Sequence, residues 1–152
     1  MSSATTHIGV DEVVRKWAHK DLISEDLWEA LTQAVRENFV FQVHCQGRDA
    51  RSKRIISWRI VNETLGFMKM LSLCDQDFSP ALLVDIGWHE FILDTVSYSD
   101  FCEELGGGYI HHKPGQSRPT SYTTKKMEEL GIAIDHGLWA YHATHPGCCG
   151  GH

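Results

Sequence analysis

Apolar residues recur at helical spacing along much of the chain. One stripe repeats every four residues and is widened by Trp28; its members are Leu27, Leu31, Val35, Phe39 and Val43. This spacing places the side chains on one face of an amphipathic α-helix. Ser24 is a good N-cap for that helix, and the acidic residues at positions 25 and 26 suit its first turn. The helix could end as early as residue 37, because residues 39–43 also have strand character.

Similar patterns predict further helices at residues 10–20, 52–73, 80–93, 95–105 and 121–130. Ser79 is expected to cap the helix that starts at Pro80, a favoured pairing. Thr95 or Ser97 can cap the next helix, and a run of three glycines from Gly106 ends it. The predicted fold is all-α, an irregular bundle of five to six helices formed by residues 1–143, followed by a flexible tail at residues 144–152.

Composition narrows the class of protein. The length of 152 residues suits one domain. A net charge of -6 argues against nucleic-acid binding, and the apolar runs are too short to cross a bilayer. The N-terminus lacks a basic start followed by an apolar segment, so no secretory signal is expected there. Five cysteines, an odd number, indicate reduced thiols rather than a disulfide framework, and together these features favour the cytoplasm.

The residues best suited to chemistry are concentrated at positions 84–114; they are Asp85, His89, Cys102, His111 and His112. Asp85 and His89 are four residues apart on a predicted helix, so they share one face. The glycine run allows the chain to turn back and bring His111 or His112 towards that face. A carboxylate, imidazoles and a thiolate around one point would bind a divalent transition metal, zinc before others. Ten histidines in the chain strengthen this expectation.

A structural interpretation of the same residues stays open. Asp85 could accept a hydrogen bond from His89 and orient it, and Cys102 could be a small core residue. The protein would then be a non-enzymatic interaction module with a buried polar network and a protein partner. The zinc-protease motif does not fit, because Leu93 occupies the position of its second histidine. Cys102 paired with His89 or His112 would make a nucleophile and base, so the question of enzymatic activity stays open.

Two other segments contain candidate ligand-binding residues. The tail offers soft or borderline metal ligands at His145, Cys148, Cys149 and His152, and it is either a metal-binding segment or a flexible terminus. It could also fold back onto the central site. The basic stretch at residues 48–54 could bind phosphate at a helix start, but a solvated helix start is the simpler interpretation.

A family resemblance accompanies these patterns. The residues Asp85, Trp88 and His89, followed by Tyr98, Phe101-Cys102, Gly106 and Ile110-His111-His112-x-Pro114, resemble the glycine-rich domain-containing protein-like family, above all its short bacterial members. The similarity spans residues 83–114, with a weaker echo over residues 124–139. It implies a helical domain whose signature positions are Asp85, Trp88, His89, Cys102, His111 and His112. It implies no particular reaction, and this chain lacks a glycine-rich region beyond three consecutive glycines.

Overall fold

The computed structural model describes residues 17–113 and 118–141. Within them the chain forms a 3-10 turn, Lys20–Leu22, and seven α-helices, with no strand. The helices are α1 (Glu25–Glu37), α2 (Phe39–His44), α3 (Ala50–Ser72), α4 (Leu82–Leu93), α5 (Thr95–Leu105), α6 (Thr120–Glu129) and α7 (His136–Ala140). The predicted all-α class is therefore confirmed. The start of the helix predicted at residues 10–20 and the tail at residues 144–152 lie outside the described residues.

Helix α3 is the centre of the bundle, and α1 and α4 pack against it. Its middle, residues 60–68, is buried on every side, as expected for a helix enclosed by neighbours. The best-buried apolar side chains of the core come from α1 to α6 and include Val35, Phe41, Ile60, Leu65, Phe67, Val84, Phe91, Tyr98 and Met127. The bundle thus fixes α4 firmly between the core and the surface.

Glycine allows α4 to approach α3 closely. A Cβ atom at Gly87 would overlap Thr64 Oγ1 and would lie 3.0 Å from Ile60 Cγ2. Real Cβ atoms do not come so near to other heavy atoms, so a side chain here would force the two helices apart. This contact sets the positions of Trp88, which follows Gly87, and of Asp85, which lies about half a turn before Gly87.

The segment after the first long helix is helical, not a strand. Asn38 is extended (φ -67°, ψ 133°) and separates α1 from α2. Its side-chain oxygen accepts a hydrogen bond from the Phe41 backbone N–H at 3.0 Å, and its amide nitrogen donates to Glu90 Oε2 at 2.7 Å. The tertiary contact with α4 and the burial of Phe41 outweigh the β-branched and aromatic composition of this segment.

The predicted cap of α4 was wrong. The helix begins at Leu82 with Ala81 at the N-cap position, and Ala81 makes no side-chain cap. Ser79 is buried instead, and its carbonyl accepts a hydrogen bond from Thr123 Oγ1 at 2.7 Å. This contact with α6 holds residues 79–81 in an extended connection. The cap predicted for α1 is confirmed, because Ser24 is the N-cap of that helix. The N-cap of α5 is Asp94, one residue before the predicted Thr95.

None of the helices within residues 17–113 and 118–141 combines the length and the apolar character that a membrane span requires.

Candidate functional site

An open cleft of about 530 Å³ is a candidate ligand site on the described part of the chain. Its size falls within the range of small-ligand pockets. Aromatic and ionisable side chains share its walls, which include Asp75, Asp77, Phe78, Asp85, Trp88, Tyr109, His111, His112 and Lys113. The cleft lining therefore includes three of the five candidate residues, Asp85, His111 and His112.

A tight return of the chain after α5 builds one wall of the cleft. Gly106 ends the helix in the left-handed conformation at φ 90°, which glycine adopts without strain. Gly107 then passes the end of α3 so closely that a Cβ atom would lie 2.6 Å from the Ser72 carbonyl oxygen. Residues 109–113 continue without helix or strand and lie across α4. The glycine run thus does bring the two histidines back towards Asp85.

Asp85 and His112 form the central polar pair of the cleft. His112 Nε2 lies 2.7 Å from Asp85 Oδ1, and the side chains are 20% and 47% exposed, respectively. The His112 ring also packs against Trp88, with ring centroids 4.4 Å apart. With a neutral ring, Nε2–H donates to the carboxylate and Nδ1 is left as the acceptor. The pair can therefore accept a proton or a hydrogen bond from a ligand, with Asp85 fixing the ring orientation.

A buried hydrogen-bond chain supports this wall from behind. Trp88 Nε1 donates to the Tyr98 hydroxyl at 2.9 Å, and that hydroxyl donates to the Ile110 carbonyl at 2.5 Å. Burial raises the pKa of Tyr98 well above its usual value of 10, so the hydroxyl keeps its proton. One phenol thus joins α4, α5 and the returning segment, and it fixes the segment that carries His112.

The remaining predicted ligands are spread around this pair. His89 is exposed, and its ring centroid lies 6.1 Å from that of His112. His111 is exposed and packs on Tyr109 with centroids 4.8 Å apart. Cys102 is only 1% exposed and lies in the core beside the Tyr98 hydroxyl. Over residues 17–113 and 118–141, no three His, Cys, Asp or Glu side chains are arranged to hold a metal ion.

Acidic groups outnumber basic ones on the cleft walls. Asp75, Asp77 and Asp85 line it, and Lys113 is the single lysine or arginine among the lining residues. Lys113 pairs with Asp77 at 3.3 Å, with both side chains about half exposed. Arg118 lies near the rim, where its guanidinium packs over the rings of Phe78 and Tyr122. With neutral histidines, the lining residues themselves carry an excess of negative charge.

A second polar cluster was missed from the sequence. Glu63, in the middle of α3, is only 1% exposed. Its Oε1 atom accepts hydrogen bonds from the Asp135 backbone N–H and from Trp139 Nε1, both at 2.9 Å. Arg59, one turn earlier, pairs with the Asp135 carboxylate at 2.6 and 2.8 Å. The available signal was a glutamate that is the single charged residue between Arg59 and Lys69 of a long helix, where a buried charged side chain requires partners.

Comparison with known proteins gives one family match. Residues 67–130 match the model of the UCP032817-like family, an uncharacterised family. The matched stretch covers less than half of the chain but includes α4, α5, the returning segment and all of α6. No curated protein and no solved structure matches the chain.

The resemblance to a glycine-rich domain-containing protein-like family was wrong. The family model that matches is a different one, and none of the comparisons indicates a glycine-rich domain. The residues that carry the resemblance have structural roles in this bundle, and these roles do not depend on membership of that family. Trp88 and Tyr98 form a buried hydrogen bond, and Gly106 ends a helix in the left-handed conformation. Short Trp-His and His-His elements are therefore insufficient to assign a family.

Proposed function

We propose that this protein is a binding module whose cleft accepts a cationic group, either an alkylammonium or a guanidinium. The observation that carries the proposal is Asp85, a carboxylate that is half exposed in the cleft while His112 holds one of its oxygens. A fixed, accessible carboxylate binds a cation without first having to be ordered. The source of the cation would be a basic side chain of a partner protein or a free organic amine.

The other cleft walls fit the same ligand chemistry. Tyr109 is 48% exposed and offers an aromatic ring to a cation. Asp75 is exposed on the lining, and the chain as a whole carries a net charge of -6. These charges favour approach of a cation and disfavour an anion. No covalent step is required, so the proposal is one of binding and not of catalysis.

Amide chemical shifts recorded during titration with n-butylammonium chloride test this function. We expect shifts of the cleft residues 85, 109 and 112, and Asp85→Asn should weaken binding by about tenfold or more, because it removes a charge-assisted contact. Asp100→Asn, on the outer side of α5, is the matched control and should leave binding unchanged. A lysine-containing peptide, titrated in parallel, distinguishes a partner side chain from a free amine.

Two results would contradict the proposal. One is an equal response of the cleft to sodium butyrate, which has a similar chain but the opposite charge. The other is undiminished butylammonium binding by Asp85→Asn. Sodium chloride titrated to the same ionic strength separates specific binding from screening.

A divalent transition metal, with zinc first, is a second candidate ligand of the same residues. What favours it is the closeness of three donors: Asp85 bonds to His112, and the His89 ring lies 6.1 Å from the His112 ring. Rotation of the His89 side chain on the surface of α4 would be needed to complete a three-ligand site. Neither Cys102, in the core, nor His111, which packs on Tyr109, supports this candidate as directly.

Metal analysis of protein purified without a histidine tag tests the second candidate. A site at this pair should bind about one equivalent of zinc, and His89→Ala or His112→Ala should abolish binding. Loss of the metal on deletion of residues 144–152 would instead assign it to the tail cysteines and histidines. Absence of stoichiometric zinc after incubation and gel filtration would eliminate a zinc site.

The cytoplasm is the proposed compartment. The three cysteines in the described residues, Cys45, Cys74 and Cys102, are all free thiols, which suits a reducing environment. Fractionation of cells expressing the untagged protein would test the location, and recovery in a membrane or extracellular fraction would contradict it.

A further inference from the structure

The Glu63 cluster joins the last described segment of the chain to the centre of the bundle. Two donors on that segment, the Asp135 N–H and Trp139 Nε1, bond to the same oxygen of Glu63. The Arg59–Asp135 ion pair adds a second attachment. We call residues 133–139 the clasp; they attach to α3 through these polar contacts and through the ring of Trp139, and Leu138 is also buried in the core.

The clasp also contacts the back of the cleft through aromatic rings. Trp139 packs against Phe67 with centroids 5.9 Å apart, and Phe67 packs against Trp88 at 5.1 Å. Trp88 in turn contacts the His112 ring and donates to Tyr98. A continuous chain of packed rings therefore runs from the partner of Glu63 to the cleft.

We propose that Glu63 and the clasp form a pH-responsive latch, in which ionisation of Glu63 favours release of the clasp and thereby loosens the cleft wall at Trp88 and His112. As a means of regulating cation binding, this inference rests on the proposed function. The latch itself requires no ligand.

The surroundings of Glu63 explain why its charge is hard to accommodate. Among the residues that the structure describes, its Oε2 atom accepts one hydrogen bond, a long one of 3.3 Å from Asn62 Nδ2. A cavity of about 350 Å³, lined by Arg59, Glu63 and Asp135 among others, lies beside it. Opening the clasp would let water hydrate the carboxylate, which is the environment that a charged carboxylate prefers.

Charged groups on the neighbouring elements both favour and oppose ionisation of Glu63. Arg59 on α3 favours the ionised form, and Asp135 on the clasp opposes it. His19 bonds through its backbone N–H to Asn62 Oδ1 and through Nε2 to the Ala133 carbonyl. Burial lowers the pKa of His19, with Lys69 nearby adding to that effect, and the hydrogen bond to the Ala133 carbonyl opposes it. Burial outweighs the donors and raises the pKa of Glu63 from about 4.5 to about 7.

Hydrogen-exchange protection measured between pH 5 and pH 8 tests the latch. In the wild-type protein, the protection factor of the Asp135 amide, corrected for intrinsic exchange, should fall roughly 100-fold as pH rises, because the closed and open states differ in proton affinity. The Trp88 indole N–H should lose protection along the same curve. In Glu63→Gln, which cannot ionise, the Asp135 amide should be independent of pH, and the Trp88 indole should keep only the pH dependence that the two proteins share.

A second variant keeps the test informative if Glu63→Gln does not fold. Trp139→Phe removes one donor but leaves the carboxyl group and the Asp135 amide. It should lower protection at every pH while preserving the dependence on pH. A pH-independent Asp135 amide in the wild type or in Trp139→Phe would overturn the latch, as would an unchanged pH dependence in Glu63→Gln.

The outcomes separate the latch from the proposed function. If the Asp135 amide responds to pH but the Trp88 indole does not, the coupling to the cleft is overturned. The cleft histidines are present in all variants, so their own effects cancel between wild type and Glu63→Gln. These measurements use no ligand. A failed butylammonium titration would therefore contradict the cation proposal and leave the latch proposal unaffected.

Discussion

The hydroxyl group of Tyr98 forms hydrogen bonds with two partners, one of which is the buried Trp88 indole. It accepts from Trp88 and donates to the Ile110 carbonyl, and the Tyr98 side chain has no exposed surface. Removing a buried partner costs more than the bond itself contributes, because the remaining group is still desolvated. At the scale of single residues, this hydroxyl therefore does more to fix the cleft than the exposed histidines do.

Tyr98→Phe should lower the free energy of unfolding by about 1–3 kcal/mol, since the Trp88 N–H loses its acceptor. Urea unfolding followed by circular dichroism measures this difference. Tyr109→Phe is the matched control, because Tyr109 is 48% exposed and its loss should change stability by less than about 0.5 kcal/mol. Equal effects of the two substitutions would show that the buried hydrogen bonds of Tyr98 do not contribute more to stability than an exposed hydroxyl does.

The polar pair could be predicted only in part from residue spacing. Helical periodicity correctly placed Asp85 on a helix, and the glycine run correctly indicated that the chain returns. Spacing could not reveal that Asp85 pairs with His112 and not with His89, one turn away. That choice depends on where residues 109–113 cross α4, and Gly107 packing on Ser72 helps to fix that crossing.

Helix α4 owes its position to the absence of a side chain at Gly87. Alanine is the better helix former by about 1 kcal/mol in a free helix, so propensity alone would favour Gly87→Ala. The overlap with Thr64 Oγ1 opposes this gain, because Thr64 lies in the densely packed middle of α3. Packing is expected to decide the sign.

Gly87→Ala should destabilise the protein by about 1–3 kcal/mol, as overpacked cores usually do. Thr64→Ala removes the overlapping oxygen, so the double variant should recover part of the loss. A double-mutant cycle from thermal or urea unfolding gives this coupling energy. Additive effects of the two substitutions would contradict a direct clash between the two helices.

Helix existence followed from the sequence more reliably than the ends of helices did. The periodic runs of α1 and α3 are long and have capping residues at their starts, and both helices form where they are expected. Helix α4 starts two residues later than predicted. The Ser79 carbonyl accepts a hydrogen bond from Thr123 Oγ1 on α6, and this bond holds Ser79 outside the helix. Such a contact joins residues 44 positions apart, and local patterns contain no information about it.

The stability of the whole molecule should depend on pH through Glu63. Its pKa is about 7 in the folded protein and about 4.5 when exposed, so between these values the folded state holds a proton that the unfolded state has released. The contribution of Glu63 to stability is then greatest at low pH and falls as pH rises through this window, by about 3 kcal/mol in total. His19, whose pKa burial lowers, acts in the opposite direction below pH 6.5.

Comparison of wild type with Glu63→Gln isolates the Glu63 contribution. The free energy of unfolding of the variant, minus that of the wild type, should rise between pH 5 and pH 8. At low pH the variant should be the less stable protein, because its new N–H group faces Asn62 Nδ2. A constant difference over this range of pH, measured by urea unfolding, would contradict the raised pKa.

Asn38 is the single residue between α1 and α2, so the number of residues at this junction determines how α2 packs. Were it helical, α1 and α2 would merge into a single rod roughly 30 Å long, and Phe41 would be carried out of the core. One additional residue there would turn α2 by about 100° about its axis, which again moves Phe41 from inside to outside. Insertions are generally tolerated between helices, but here the junction is a single residue that also bonds to Glu90. The corner at Asn38 therefore constrains how many residues the chain can have there, and not only which ones.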